Sequence, residues 1–129
     1  MLFSGNPGLE NLDMPEKKVL VSFHRAPYGT IFYTEGLRAA LGVTSGIDEN
    51  EVTALFIGDG VYFALKDIDR TDTSKYLATL AKIGAPLYAE EESLCERGIN
   101  KEDMADDIKI IPRSEVLALY KEADCNIDF

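Results

Sequence analysis

The chain has 129 residues, 46% of them hydrophobic, the size and apolar content of one folded domain with one core. Its formal net charge of -10, with no stripe of Lys and Arg, excludes a surface built to neutralise a phosphate backbone and disfavours anionic membranes. Two cysteines without CxxC spacing and a single histidine exclude a Cys/His zinc cluster and point to free thiols in a reducing compartment.

Residues 1–16 hold Gly5, Pro7, Gly8 and Pro15 without a sustained period, which predicts an irregular arm that orders only against a partner. They carry no charged segment leading into an apolar stretch, so no secretory signal is expected and the protein is expected in the cytoplasm. A single domain is expected over residues 17–129. "KKVLVSF" reads as its first strand, stopped by the Pro and Gly of "HRAPYGT". "IFYTEGLRAALG" then sets Phe32, Tyr33, Gly36, Leu37, Ala40 and Leu41 on one helical face, with Gly42 as the predicted stop. "EVTALFIG" has a continuous apolar middle, as a strand covered on both faces would. Apolar runs such as this one are far short of the roughly 20 residues that span a bilayer.

"VYFALK" reads as a short helical turn too small to bury both Tyr62 and Phe63, and "SKYLATLAKIG" as an amphipathic helix ending at Gly84. Strands follow at "PLYAE", "IKIIP" and "CNIDF", with a short helix near "LCER" and a longer one introduced by Ser114. The alternation predicts an α/β fold, a three-layer α/β/α sandwich with a mostly parallel five-stranded sheet, its two central strands being "KKVLVSF" and "EVTALFIG". Ligands of such folds bind at the carboxyl ends of the strands, which singles out the loops "HRAPYGT", "GDGVY" and "EEESLCERG".

In the first loop, Pro27 fixes φ, Gly29 permits a positive φ, and the helix start beyond Tyr28 offers N–H groups to an anion, although a plain strand-to-helix turn explains the same residues. No GxGxxG or GK[ST] fingerprint is present, and no cofactor is implied. His24 could act as a base, but the sequence places no cysteine or serine near it, and shaping this ligand- or subunit-facing loop is the expected role. Asp59, between two glycines, is either a ligand-facing carboxylate or the cap of the turn after it, and capping is the expectation. Glu90, Glu91 and Glu92 are expected to form a solvated face. Cys125, on the last strand, is expected to be packed or simply exposed.

Ser93 and Glu96 match the S-x-x-E capping box, which would make Cys95 the second residue of a helix, where exposed N–H groups favour a thiolate. Against this, Glu90, Glu91, Glu92 and Glu96 lie within a few residues and Arg97 is the single nearby cation. A helix terminus contributes roughly 0.3–1 kcal/mol, which several like charges outweigh. Cys95 is therefore the one candidate catalytic residue, and an inert thiol is the expectation.

Taken together, "FHRAPYGT" with "EGL", "FIGDGV", "SLCERGI" and the aromatic end "NIDF" resemble the DsrE/DsrF/DsrH family, most closely its DsrF/TusC branch, over residues 17–129. The resemblance implies a parallel core sheet and a role in sulfur trafficking within hetero-oligomers of related subunits. In the DsrE/TusD-like subunit of such systems, a cysteine at the end of the strand before the R-G turn carries a persulfide. Counting back from Gly98, that position falls on Glu90. DsrF/TusC-like subunits are not the principal carriers, so the resemblance implies an accessory subunit that is not catalytic alone. Its partners would be related DsrE/DsrH-like subunits and a sulfur donor or acceptor protein, met through apolar positions of "VYFALK". Purified alone, it is expected to form a homo-oligomer with Tyr62 and Phe63 at the contact. Two other functions fit the residues: a persulfide sulfurtransferase using Cys95, and a module binding a small molecule or nucleotide at the three loops.

Overall fold

The computed structural model describes residues 17–27, 32–44 and 50–129; the arm 1–16 and residues Tyr28 and Gly29 of the first loop lie outside the described residues. Five strands, β1 (Lys18–Phe23), β2 (Glu51–Phe56), β3 (Leu87–Glu90), β4 (Lys109–Ile111) and β5 (Cys125–Asp128), form one sheet in the order β4-β3-β2-β1-β5. Every pairing is parallel. The helices are α1 (Phe32–Thr44), α2 (Ser74–Lys82), α3 (Glu91–Glu96) and α4 (Arg113–Glu122), with 3₁₀ segments at Gly58–Ala64 and Lys101–Asp103. None is long and apolar enough among the described residues to cross a membrane.

The continuous apolar runs do mark the centre of the sheet. β2 lies in the middle with β1 beside it, and both are buried beyond their first residue, Thr53 of β2 excepted. Alternate residues serve different layers because strand side chains alternate between faces. Val19, Val21 and Phe23 pack with Leu37, Ala40, Leu77 and Leu80 of α1 and α2. Leu20 and Leu55 pack with Val116 of α4 on the other face. The handedness rule explains the division: parallel crossovers are right-handed. β1 to β4 step across the sheet in one direction, whereas the α4 connection returns to β5 at the far edge and so lies on the opposite face.

Several expected boundaries move. Gly42 lies inside α1, which continues to Thr44. Gly84 does end its helix, with φ +77 and the Ala85 N–H donating to the Leu80 carbonyl at 3.0 Å. The last helix starts at Arg113, after Pro112, so Ser114 lies inside it rather than introducing it. The turn does not bury both rings, since Tyr62 stays half-buried, but Phe63, expected at an exposed contact, is 2% exposed. Its ring stacks on Tyr33 at 4.4 Å and Phe56 at 5.3 Å, and Val61 and Ala64 are buried with it. Because a 3₁₀ segment has three residues per turn, it turns Val61 and Ala64 to one side, and the tight approach of Gly60 to β1 draws the whole segment into the core. "VYFALK" therefore offers no exposed apolar patch; the exposed large hydrophobic residues among those described are Ile83 and Leu117.

Candidate functional site

The carboxyl ends of β2, β3 and β4 meet around one buried carboxylate. Glu90, the last residue of β3, is 1% exposed, which overturns the solvated face expected for it. Arg113, at the start of α4, donates to it twice: Nε to Oε2 at 3.1 Å and Nη2 to Oε1 at 3.0 Å. The Ser93 hydroxyl donates to Oε1 at 2.6 Å and accepts the Gly58 N–H at 2.9 Å. Three strand-end loops are thus joined through two side chains, Glu90 reaching Arg113 and Ser93 reaching Gly58. Burial alone would push the Glu90 carboxyl up, but the hydrogen bonds from Arg113 and Ser93, with the charges of Arg113 and Arg97, outweigh it and hold the group below its usual range. The same contact with Glu90 holds the Arg113 guanidinium above its ordinary value.

Around this centre lies a second ring of charges. Asp59 does not cap the 3₁₀ segment, whose N-cap is Ile57; its Oδ1 accepts from Arg97 Nε at 3.0 Å and Nη2 at 2.9 Å. Arg97 Nη1 donates to the Ser93 carbonyl at 3.1 Å, so the Asp59 loop is tied to α3 through the same turn that holds Glu90. Glu92 accepts the Arg113 backbone N–H at 2.8 Å, at the positive end of α4. Of the residues singled out in the sequence, Asp59, Glu90 and Arg97 come together. Arg113 was missed, although the rule that selects strand ends applies equally to "IIPR".

Cys95 takes no part in this cluster. α3 begins at Glu91, with Glu90 as its N-cap, so Ser93 is its third residue and Cys95 its fifth of six. The capping box does not form, because the Ser93 hydroxyl is spent on Glu90 and Gly58. Cys95 therefore lies in the last turn, away from the N–H groups that a cap at Ser93 would have set beside it. Its thiol is exposed, and the nearby ammonium of Lys101 is held by Glu91 at 2.6 Å. Cys125 is likewise an exposed free thiol.

His24 stands apart, at the ends of β1 and β5. Contrary to expectation a serine lies beside it: Ser22 Oγ is 3.0 Å from His24 Nε2, and Asp128 Oδ1 is 3.4 Å away. Two residues along a strand return to the same face, a relation readable from the sequence; the presence of Asp128 is not, since it comes from the β5 pairing. Pro27 is half-buried in the bend after β1. The Tyr33 hydroxyl donates to the carbonyls of Arg25 at 2.7 Å and Gly60 at 3.2 Å, tying this bend to the 3₁₀ segment. Among the described residues no group of three ligating side chains could hold a metal ion.

The profile of the DsrE/DsrF-like family matches residues 17–129. The chain is 31% identical to the protein TusC of Buchnera aphidicola subsp. Baizongia pistaciae over 88% of its own length and 99% of that protein. It is 26% identical to the intracellular sulfur oxidation protein DsrF of Allochromatium vinosum, over 88% and 96% of the two chains. Among solved structures, the YchN protein of E. coli superposes with a TM-score of 0.73 at 21% identity, covering 88% of this chain and 99% of that one, a likeness of fold.

Proposed function

The chain belongs to the DsrE/DsrF-like family, and from that premise we propose that it is an accessory, DsrF/TusC-like subunit of a cytoplasmic sulfur-relay or sulfur-oxidation assembly. In this reading it binds related DsrE/DsrH-like subunits and does not itself carry the persulfide. One observation supports it above the others: Glu90, where the resemblance implies the carrier cysteine, is a buried carboxylate held by Arg113 and Ser93. A sulfur carrier needs a thiolate that a donor can reach. A carboxylate cannot form the S–S bond, and this one is closed off by its own ion pair. The loops that a ligand would enter are cross-linked by Glu90–Arg113 and Asp59–Arg97, as suits a rigid docking surface.

The test is co-expression with two related domains of the same organism, one of them bearing a cysteine at the position of Glu90, followed by exposure to a persulfide donor and intact-mass measurement. A complex in which the one-sulfur increment falls on the cysteine-bearing partner is the expected result. An increment on this chain that disappears in Cys95→Ser would instead make it a sulfurtransferase, the reading that the exposure of Cys95 favours.

A further inference from the structure

The Ser22–His24–Asp128 group lies outside the Glu90 cluster, and its hydrogens can be assigned. Ser22 is fully buried and its hydroxyl is in close contact with Asp128 Oδ1. An ionised carboxylate only accepts, so the single Ser22 hydrogen goes to Asp128. The Ser22 oxygen can then only accept from His24. Nε2 of His24 faces two acceptors, Ser22 Oγ at 3.0 Å and Asp128 Oδ1 at 3.4 Å, and must carry the ring hydrogen. In the neutral imidazole this leaves the lone pair on Nδ1. The ring is 42% exposed at the carboxyl edge of the sheet, where family folds of this type receive ligands.

We propose that Ser22 and Asp128 hold His24 in the Nε2–H tautomer so that Nδ1 acts as a proton acceptor for a group presented at this edge, and that this group is the thiol of a partner protein. The tautomer follows from the hydrogen bonds alone; the choice of a thiol rests on the sulfur-relay reading, since sulfur exchange requires the thiolate. In the step, the S–H bond breaks, its electron pair stays on sulfur, and the proton passes to Nδ1. The resulting imidazolium keeps its Nε2–H against the Asp128 carboxylate, as in other His–carboxylate pairs. Ser22, buried and already donating to Asp128, is a positioning residue, as is Asp128.

His24 is the single histidine of the chain, so every imidazole signal belongs to it. The first measurement is the ¹⁵N spectrum of the ring in protein labelled at histidine, at a pH where the ring is neutral. The Nε2–H tautomer is expected, giving way to a mixture in Ser22→Ala and Asp128→Asn; a predominant Nδ1–H form in the unaltered protein would overturn the assignment. The second is sulfur transfer in the assembled complex with inorganic polysulfide as the source. His24→Gln is expected to slow transfer at least tenfold, less than full general-base effects of roughly 10²–10⁴ because solvent bases compete. Transfer at the unaltered rate in an intact complex would sink the thiol assignment while leaving the accessory-subunit reading standing; failure of the complex to form would count against that reading and, with it, the thiol.

Discussion

Arg113 and Glu90 are joined by two hydrogen bonds, of 3.1 and 3.0 Å, yet they are buried very unequally: the carboxylate is 1% exposed and the arginine side chain 48%. Removing one partner therefore does not mirror removing the other. Arg113→Ala strands an ionised carboxylate away from water, whereas Glu90→Gln leaves a guanidinium that turns to solvent. Glu90→Gln is expected to cost about 1–3 kcal/mol, the range for disturbing a buried hydrogen-bonded polar group. Arg113→Ala is expected to cost more, and Arg113→Lys to recover part of the loss. Urea midpoints of the three variants check the order; equal losses would mean that Glu90 gains water when Arg113 is gone.

The depressed Glu90 carboxyl gives the fold an acid limit. Its folded value lies below the usual 4.5, so between the two values the unfolded chain binds more protons and stability rises with pH. The contribution is present in full above 4.5 and is lost as pH falls through the folded value. Urea midpoints between about pH 5 and pH 3 are expected to fall less steeply in Glu90→Gln than in the unaltered protein. Parallel slopes would contradict the assignment.

Two glycines with no positive φ are expected to behave oppositely. A Cβ on Gly60 would meet the Phe23 carbonyl oxygen at 2.0 Å and its carbon at 2.8 Å, backbone atoms of the central sheet that cannot step aside. Gly60→Ala should cost about 3 kcal/mol, the upper part of the range for overpacking. Gly42 has nothing within 4 Å of the same position and lies inside α1, so Gly42→Ala should add about 0.5–1 kcal/mol. Thermal or urea unfolding of both variants measures the contrast.

Tyr33 links packing to loop geometry. Its ring belongs to the stack with Phe23 and Phe63, and burial, followed by the charge of Asp59, pushes its phenol well above the ordinary range. Tyr33→Phe keeps the stack and removes the donor to the Arg25 and Gly60 carbonyls, an expected loss of about 1–2 kcal/mol. Hydrogen exchange should quicken in the bend after β1 and in the 3₁₀ segment while the β2 amides stay protected.

Cys95 should respond to its exposed neighbours. The Lys101 ammonium interacts electrostatically with Cys95 and is itself held by Glu91. With Cys125→Ser removing the second signal, Lys101→Ala should slow alkylation of Cys95 roughly twofold, the size of an exposed charge interaction. Faster alkylation would mean that access rather than charge controls the thiol.

The sequence by itself determined the α/β class, the two inner strands and the residues by which α1 and α2 enter the core, Tyr33, Leu37, Ala40, Leu77 and Leu80. These follow from apolar periodicity and from the absence of alternation, both local properties that burial imposes directly. The strand-end loops were legible for the same reason, since alternation of strand and helix implies a parallel sheet with its ligand edge at the carboxyl ends. What only the tertiary structure decided was the partner of each polar group. Ser93 followed by Glu96 satisfies a local capping pattern, yet the Ser93 hydroxyl bonds Glu90 and the N–H of Gly58, 35 residues away, and the helix starts three residues earlier than that pattern predicts. Three glutamates in a row look solvated until Arg113 arrives from α4 to neutralise one of them. His24 lacks a visible carboxylate until β5 pairs with β1 across the whole chain. Apolar burial rewards a residue for its own composition, so a run of neighbours reveals it; a hydrogen bond or ion pair rewards a particular pair, and when the pair is distant in the chain only folding brings it together.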